Sequence, residues 1–189
     1  MVIFFFYFGF FVLSLIAALT DFLFYKIPNI LIIMILCGAG IKIFLEHSSV
    51  DFYLTGLIFM TTLLSGYLLY AFKIMGAGDA KFLSASVLWI APQEVIDYLI
   101  LVAVSGGILA GCYIFWSGKI DLWRRKLSEC FQKSPSFSKC GIIGKYLHTT
   151  FVPANAHNMW SKILIPYGIS IFTGNLIFIY FYFTQRGFQ

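Results

Sequence analysis

The chain has 189 residues, of which 60% are hydrophobic, 20% aromatic and only 11% charged, with a formal net charge of +5. A soluble domain of this length has about a quarter of its residues charged, so the composition excludes an ordinary water-facing surface. The apolar blocks are long and continuous rather than alternating at every second residue, which points to helices in lipid and disfavours a transmembrane β-barrel.

In chain order, residues 2–20 form the first uncharged block. It lacks a basic leading segment and exceeds the apolar core of a secretion signal, about 7–15 residues, so it is expected to persist as a helix. Residues 53–72, 98–117 and 163–185 are equally free of charge. At about 1.5 Å of rise per residue each block spans a hydrocarbon core of roughly 30 Å. Two weaker segments, 30–45 and 82–93, complete an expected all-α bundle of about six membrane helices, forming one domain over 1–189. Lys42 lies near one end of the first weak segment and is expected to snorkel to the headgroups. The fourth helix is expected to begin near Ile74, which carries Gly76–Lys81 inside the membrane edge.

Basic residues in short loops are retained on the cytoplasmic side. Alternating six helices puts Lys26, Lys73, Lys81 and the basic loop 118–162 on one face, leaving only Lys42 and Arg186 elsewhere. That face is expected to be cytoplasmic, with Glu46, Asp51, Glu94, Asp97 and both termini outside. Within the loop, Ile120, Trp123, Leu127 and Phe131 recur at helical spacing beside Arg124, Arg125 and Lys126. This pattern reads as an amphipathic helix against an anionic leaflet, with membrane lipids as partners. Nucleic acid is not an expected partner, because no binding fold accompanies the charge. His148 and His157 lack a carboxylate at ligand spacing, and Cys37, Cys112, Cys130 and Cys140 form no CxxC pair, so no metal is implied.

Two carboxylates stand apart from the outward-facing and loop acids. Asp21 closes the first helix and Asp79 opens the fourth at the same membrane edge. Two neighbouring carboxylates suit amide hydrolysis: one, charged, takes a proton from water while the other, protonated, polarises the scissile carbonyl. Gly76 and Gly78 before Asp79 allow tight turns and close approach of a substrate strand. Pro28 holds Ile27 extended, and a new helix begins about Asn29. Each feature has a plainer reading. Asp79 also suits a helix N-terminus, Lys81 is equally an anchor at the headgroups, and the glycines also suit close helix packing.

The segment Asp21–Asn29 resembles the D-x(5)-I-P-N element of type 4 prepilin peptidases, and Gly76–Lys81 matches their G-x-G-D-x-K signature. Ile165-Pro166-Tyr167-Gly168, with Gly174 beyond, resembles the carboxy-terminal element of the short members that serve Flp/Tad-type pili. The resemblance implies a membrane aspartic endopeptidase of the inner membrane, with Asp21 and Asp79 catalytic. Gly76, Gly78, Lys81, Pro28 and Asn29 are the accompanying motif and substrate-positioning residues. It further implies prepilin or pseudopilin precursors as substrates, cut on the cytoplasmic side, and no cofactor. Bifunctional members carry a Cys-rich loop that this chain lacks, so methyltransferase activity is not expected. The rival readings are a presenilin-like peptidase, for which the Y-D and P-A-L elements are missing, a proton-coupled transporter, and a non-catalytic pilus-assembly subunit.

Overall fold

A computed structural model describes residues 2–24, 26–45, 51–133 and 166–186, with backbone alone for 2–4, 116–133 and 185–186. The expectations for His148, His157, Cys140 and the stretch 134–165 lie outside the described residues. Among the described residues there are α-helices, turns and one 3₁₀ turn, and no strand.

Among the described residues six α-helices follow one another: α1 (Val2–Phe24), α2 (Asn29–Leu45), α3 (Phe52–Ala71), α4 (Ala77–Val87), α5 (Val95–Lys133) and α6 (Tyr167–Arg186). Four stretches are long and apolar enough to cross a membrane: Phe5–Phe24, Phe52–Ala71, Pro92–Phe115 and Tyr167–Thr184. These correspond to the four uncharged blocks of the sequence. The two weaker segments are helical but short. α2 has 17 residues, and α4 has 11, about 16 Å of rise and roughly half a hydrocarbon core.

α4 therefore differs from the expected helix at both ends. It starts at Ala77 rather than near Ile74, because the chain spends residues 72–75 reversing direction at the end of α3. Lys73 adopts φ 60°, donating its N–H to Tyr70 O, while Ile74 N–H reaches Leu69 O at 3.0 Å. This pair of bonds is the Schellman stop, with a lysine where glycine is usual. At the far end α4 gives way to a turn and the 3₁₀ segment Pro92–Glu94, since Pro92 forces Ala91 into extended backbone (ψ 137°).

In a lipid solvent apolar burial alone does not drive helices together; close packing and internal hydrogen bonds do. α4 is built for this. Its small residues Ala80, Ser84, Ala85 and Ser86 are all buried, and the helix packs on α2, α3 and α6 at once. Gly66 of α3 comes so near that a methyl there would lie 3.0 Å from the Ala80 Cβ. α1 and α5 pack along α6, and α1 also meets α2.

The C-terminal end of α4 stops within the bundle, where its carbonyls need partners from protein. Trp89 is buried there, stacked on Phe10 at 4.5 Å, and donates its indole N–H to Ile35 O. The Trp89 carbonyl accepts from Lys42 Nζ at 2.9 Å and from the Tyr7 hydroxyl at 3.3 Å. Lys42 is only 8% exposed and lies 5.0 Å from the Tyr7 ring centre. The expected snorkelling lysine is thus an internal one, bonded to the turn just beyond the short helix, where the dipole favours a cation.

α5 continues without a break through Lys133, so the backbone of Ile120–Phe131 is helical as an extension of a membrane helix. The side chains that would define an amphipathic face there, and its lipid contact, lie outside the described residues.

Candidate active site

The chain reversals place the C-terminal end of α1 and the N-terminal ends of α4 and α6 at one end of the bundle. Asp21 sits in the last turn of α1, and Asp79 in the first turn of α4. Both side chains are buried, at 4% and 6% exposure, and the two carboxylates are close enough to interact electrostatically. Each is held by a different glycine.

For Asp79 the local sequence is sufficient. Gly76 is the N-cap of α4 and Asp79 is three residues on, so its carboxylate folds back onto the Gly76 N–H, as the acid does in a capping box. A Cβ at Gly76 would lie 2.8 Å from Asp79 Oδ2, so the glycine is needed for this fit. The other oxygen, Oδ1, is buried without a hydrogen-bond partner. A buried carboxylate oxygen left in that state is energetically costly and calls for a functional reason.

For Asp21 the holding group comes from far along the chain. Its Oδ2 accepts the Gly168 N–H at 2.8 Å, in the first turn of α6, where the helix dipole favours negative charge. Pro166 precedes that turn and is fully buried. A Cβ on Gly168 would stand 2.8 Å from the Asp21 Cβ, so α1 and α6 meet here at a distance only glycine permits.

The remaining motif residues divide into two groups. Ile27 is buried against Gly78, and Pro28, also buried, lets α2 start at Asn29, so the two motif segments touch through Ile27 and Gly78. A methyl at Gly78 would lie 3.5 Å from the Ile27 Cβ, an ordinary contact, so lack of space does not explain this glycine. Asn29 is exposed at the same end. Lys81 is not brought to the carboxylates. It lies two residues beyond Asp79, about 200° round the helix. It is exposed there and, with Ala77 and Ala80, lines a groove of about 660 Å³ against Met60, Leu64 and Tyr67 of α3.

Sequence reasoning assigned no role to the Gly168 N–H, to Lys42 as an internal cap, or to a buried set formed by Ser86, Tyr98 and Asn175. A lone lysine and a lone asparagine in apolar helices were the available signals, since such groups are costly in lipid unless partnered.

The helices and this end of the bundle define a membrane protein with a paired-carboxylate site. The Type IV leader peptidase family model matches residues 8–111, and the chain belongs to that family. It is accordingly a peptidase acting on prepilin leaders. The match covers Asp21 and Asp79 and ends before α6. Neither a curated protein nor a solved structure matched the chain.

Proposed function

We propose that this leader peptidase is an aspartic endopeptidase in which Asp21 and Asp79 form the catalytic pair. Its substrates are Flp/Tad-like prepilins or pseudopilins, cut at the cytoplasmic face of the bacterial inner membrane. The observation that carries the reading is the convergence of two buried carboxylates at one end of a membrane bundle, Asp21 accepting the Gly168 N–H and Asp79 turned back on Gly76.

The ionised member of the pair takes a proton from water as that water attacks the scissile carbonyl carbon. The protonated member donates to the carbonyl oxygen. Collapse of the tetrahedral intermediate, with a proton passing to the leaving nitrogen, releases the leader and the new amino terminus. Asp79 Oδ1, buried and without a hydrogen-bond partner among the described residues, is the acceptor that a water or substrate admitted to the site would satisfy in this scheme. The glycine N–H bonds leave each carboxylate little freedom, and such preorganisation is a main source of rate in proton-transfer catalysis.

The cytoplasmic assignment rests on charge. Lys26, Lys73 and Lys81 gather at the aspartate end, whereas Asp51, Glu94 and Asp97 gather at the other. The Flp/Tad assignment rests on the P-Y-G element, Pro166–Gly168.

The test is co-expression with a prepilin from the same genome, following leader removal by gel shift for wild type, Asp21→Asn and Asp79→Asn at matched membrane levels. Wild type cuts, and both variants leave the precursor intact. Cleavage by either variant rules out the pair.

A further inference from the structure

Two turns from the aspartates, deeper in the bundle, lies a second polar cluster. Asn175 of α6 and Ser86 of α4 are completely buried, and Tyr98 of α5 nearly so. The Tyr98 hydroxyl donates to Asn175 Oδ1 at 2.8 Å, and Asn175 Nδ2 donates to Ser86 Oγ at 3.3 Å. The Ser86 hydroxyl also interacts with the Tyr98 phenol. One carboxamide thereby joins three helices.

Its placement along the helices matters. Ser86 follows Asp79 by seven residues on α4, and Asn175 follows Gly168 by seven on α6. Seven residues make almost two turns, about 10.5 Å, and return to the same helix face. A single α4–α6 seam therefore carries the aspartate site at one end and the Asn175–Ser86 bond at the other.

On α4 the face shared by Asp79 and Ser86 also carries Phe82 and Leu83, all of them buried. Apolar packing fixes axial position through shape alone, and a slide along the seam would carry Asp79 past Asp21. A directional hydrogen bond removes that freedom. A leucine, branched like asparagine at Cγ but apolar, carries no polar group into this setting, so the buried amide calls for a reason beyond stability. Fixing register is the best attested use of a lone buried asparagine.

We infer that Asn175 is a positioning residue for the aspartate pair: bonded to Ser86 and Tyr98, it sets the register of α4 against α6. The gap between Asp79 and the Gly168-held Asp21 follows from that register. The inference rests on the two-aspartate reading for its effect on catalysis, but its geometric content is independent of it. Gly174 supports the arrangement by bringing α6 hard against α5, where a Cβ would lie 2.5 Å from Val102 Cγ2.

The experiment has two arms, both on the full chain in membranes or detergent. In the first, cleavage of a purified prepilin is followed for wild type, Asn175→Leu, Ser86→Ala and the double variant. Asn175→Leu lowers kcat by about 100-fold, as a displacement near 1 Å does, with KM within about 2-fold. Ser86→Ala lowers kcat by about 10-fold, and the double variant is no worse than Asn175→Leu, because the two side chains act through one bond.

In the second arm the four cysteines are replaced by alanine and an Asp21→Cys, Asp79→Cys pair is introduced, with and without Asn175→Leu. Disulfide formation then reports the spacing without any catalysis. Asn175→Leu slows it by about 10-fold or more, given the narrow Cα and Cβ distances a disulfide accepts. Wild-type kcat in Asn175→Leu, or an unchanged cross-linking rate, overturns the inference. Should Asn175→Leu fail to accumulate, Ser86→Ala is carried through both arms under the same criteria. If wild type cuts no prepilin, the two-aspartate reading falls, while the cross-linking arm still decides the register.

Discussion

Gly168→Ala is the most incisive substitution available. On helix propensity alone it should help, because alanine is better than glycine within a helix by about 1 kcal/mol. The structure reverses that sign. The new methyl would lie 2.8 Å from both Cβ and Oδ2 of Asp21 and 3.1 Å from Cγ. The Asp21 Cβ is fixed to the α1 backbone, so relief must come from separating α1 and α6. An opening of about 0.6 Å brings the closest contact to a tolerable 3.4 Å and stretches the Gly168 N–H···Oδ2 bond from 2.8 Å towards the same value, beyond a good hydrogen bond. Overpacking of this kind costs about 1–3 kcal/mol, and losing a bond to a charged group about 1.5–3 kcal/mol. Asp21 would then be displaced by a large fraction of the roughly 1 Å that removes about 100-fold in rate. We expect kcat for prepilin cleavage to fall by about 30- to 100-fold with KM little changed, in protein that still inserts and purifies. Time courses with purified enzyme in detergent, read on gels, measure this directly. A Gly168→Ala enzyme that cuts within about 3-fold of wild type would show that the α6 amide does not hold Asp21 for catalysis.

The two glycines before Asp79 should separate in the same assay. Gly76→Ala displaces the Asp79 carboxylate from 2.8 Å and loses about 10-fold or more in kcat, whereas Gly78→Ala meets only an ordinary 3.5 Å contact and leaves thermal stability within about 0.5 kcal/mol of wild type. Lys42→Met leaves the Trp89 carbonyl with Tyr7 as its remaining side-chain donor and should destabilise the detergent-solubilised protein by about 1–3 kcal/mol. An unchanged melting temperature would return Lys42 to the role of a headgroup anchor. Lys73→Gly removes a strained φ of 60° and should stabilise by about 0.5–1 kcal/mol in the same melt, with cleavage unaffected.

How far the sequence discloses this molecule depends on the range of each interaction. The four long spans are legible because hydropathy over about 20 residues is a local property. The placement of Asp21 and Asp79 at one end of the bundle is legible too, since counting helices suffices. Lys42 was misread because hydropathy knows its distance from a helix end but not that α4 stops short beside it and offers a carbonyl. α4 itself was misjudged because its two ends are set by the Lys73 turn and by Pro92, and its burial by three neighbouring helices. Gly168, Ser86, Tyr98 and Asn175 act across helices distant in sequence, where no spacing rule applies.

The bond from Gly168 to Asp21 joins residues 147 positions apart, the first helix to the last. During synthesis α1 enters the bilayer long before α6 has been made, so for most of translation Asp21 lacks the amide that holds it. If Asp21 works as proposed, the site is complete only once α6 has docked. A ribosome that stalls, or a message cut short ahead of α6, would yield a chain with both aspartates and without the Gly168 N–H. On that reading the docking of α6 couples activity to assembly, and chains lacking α6 would be inert.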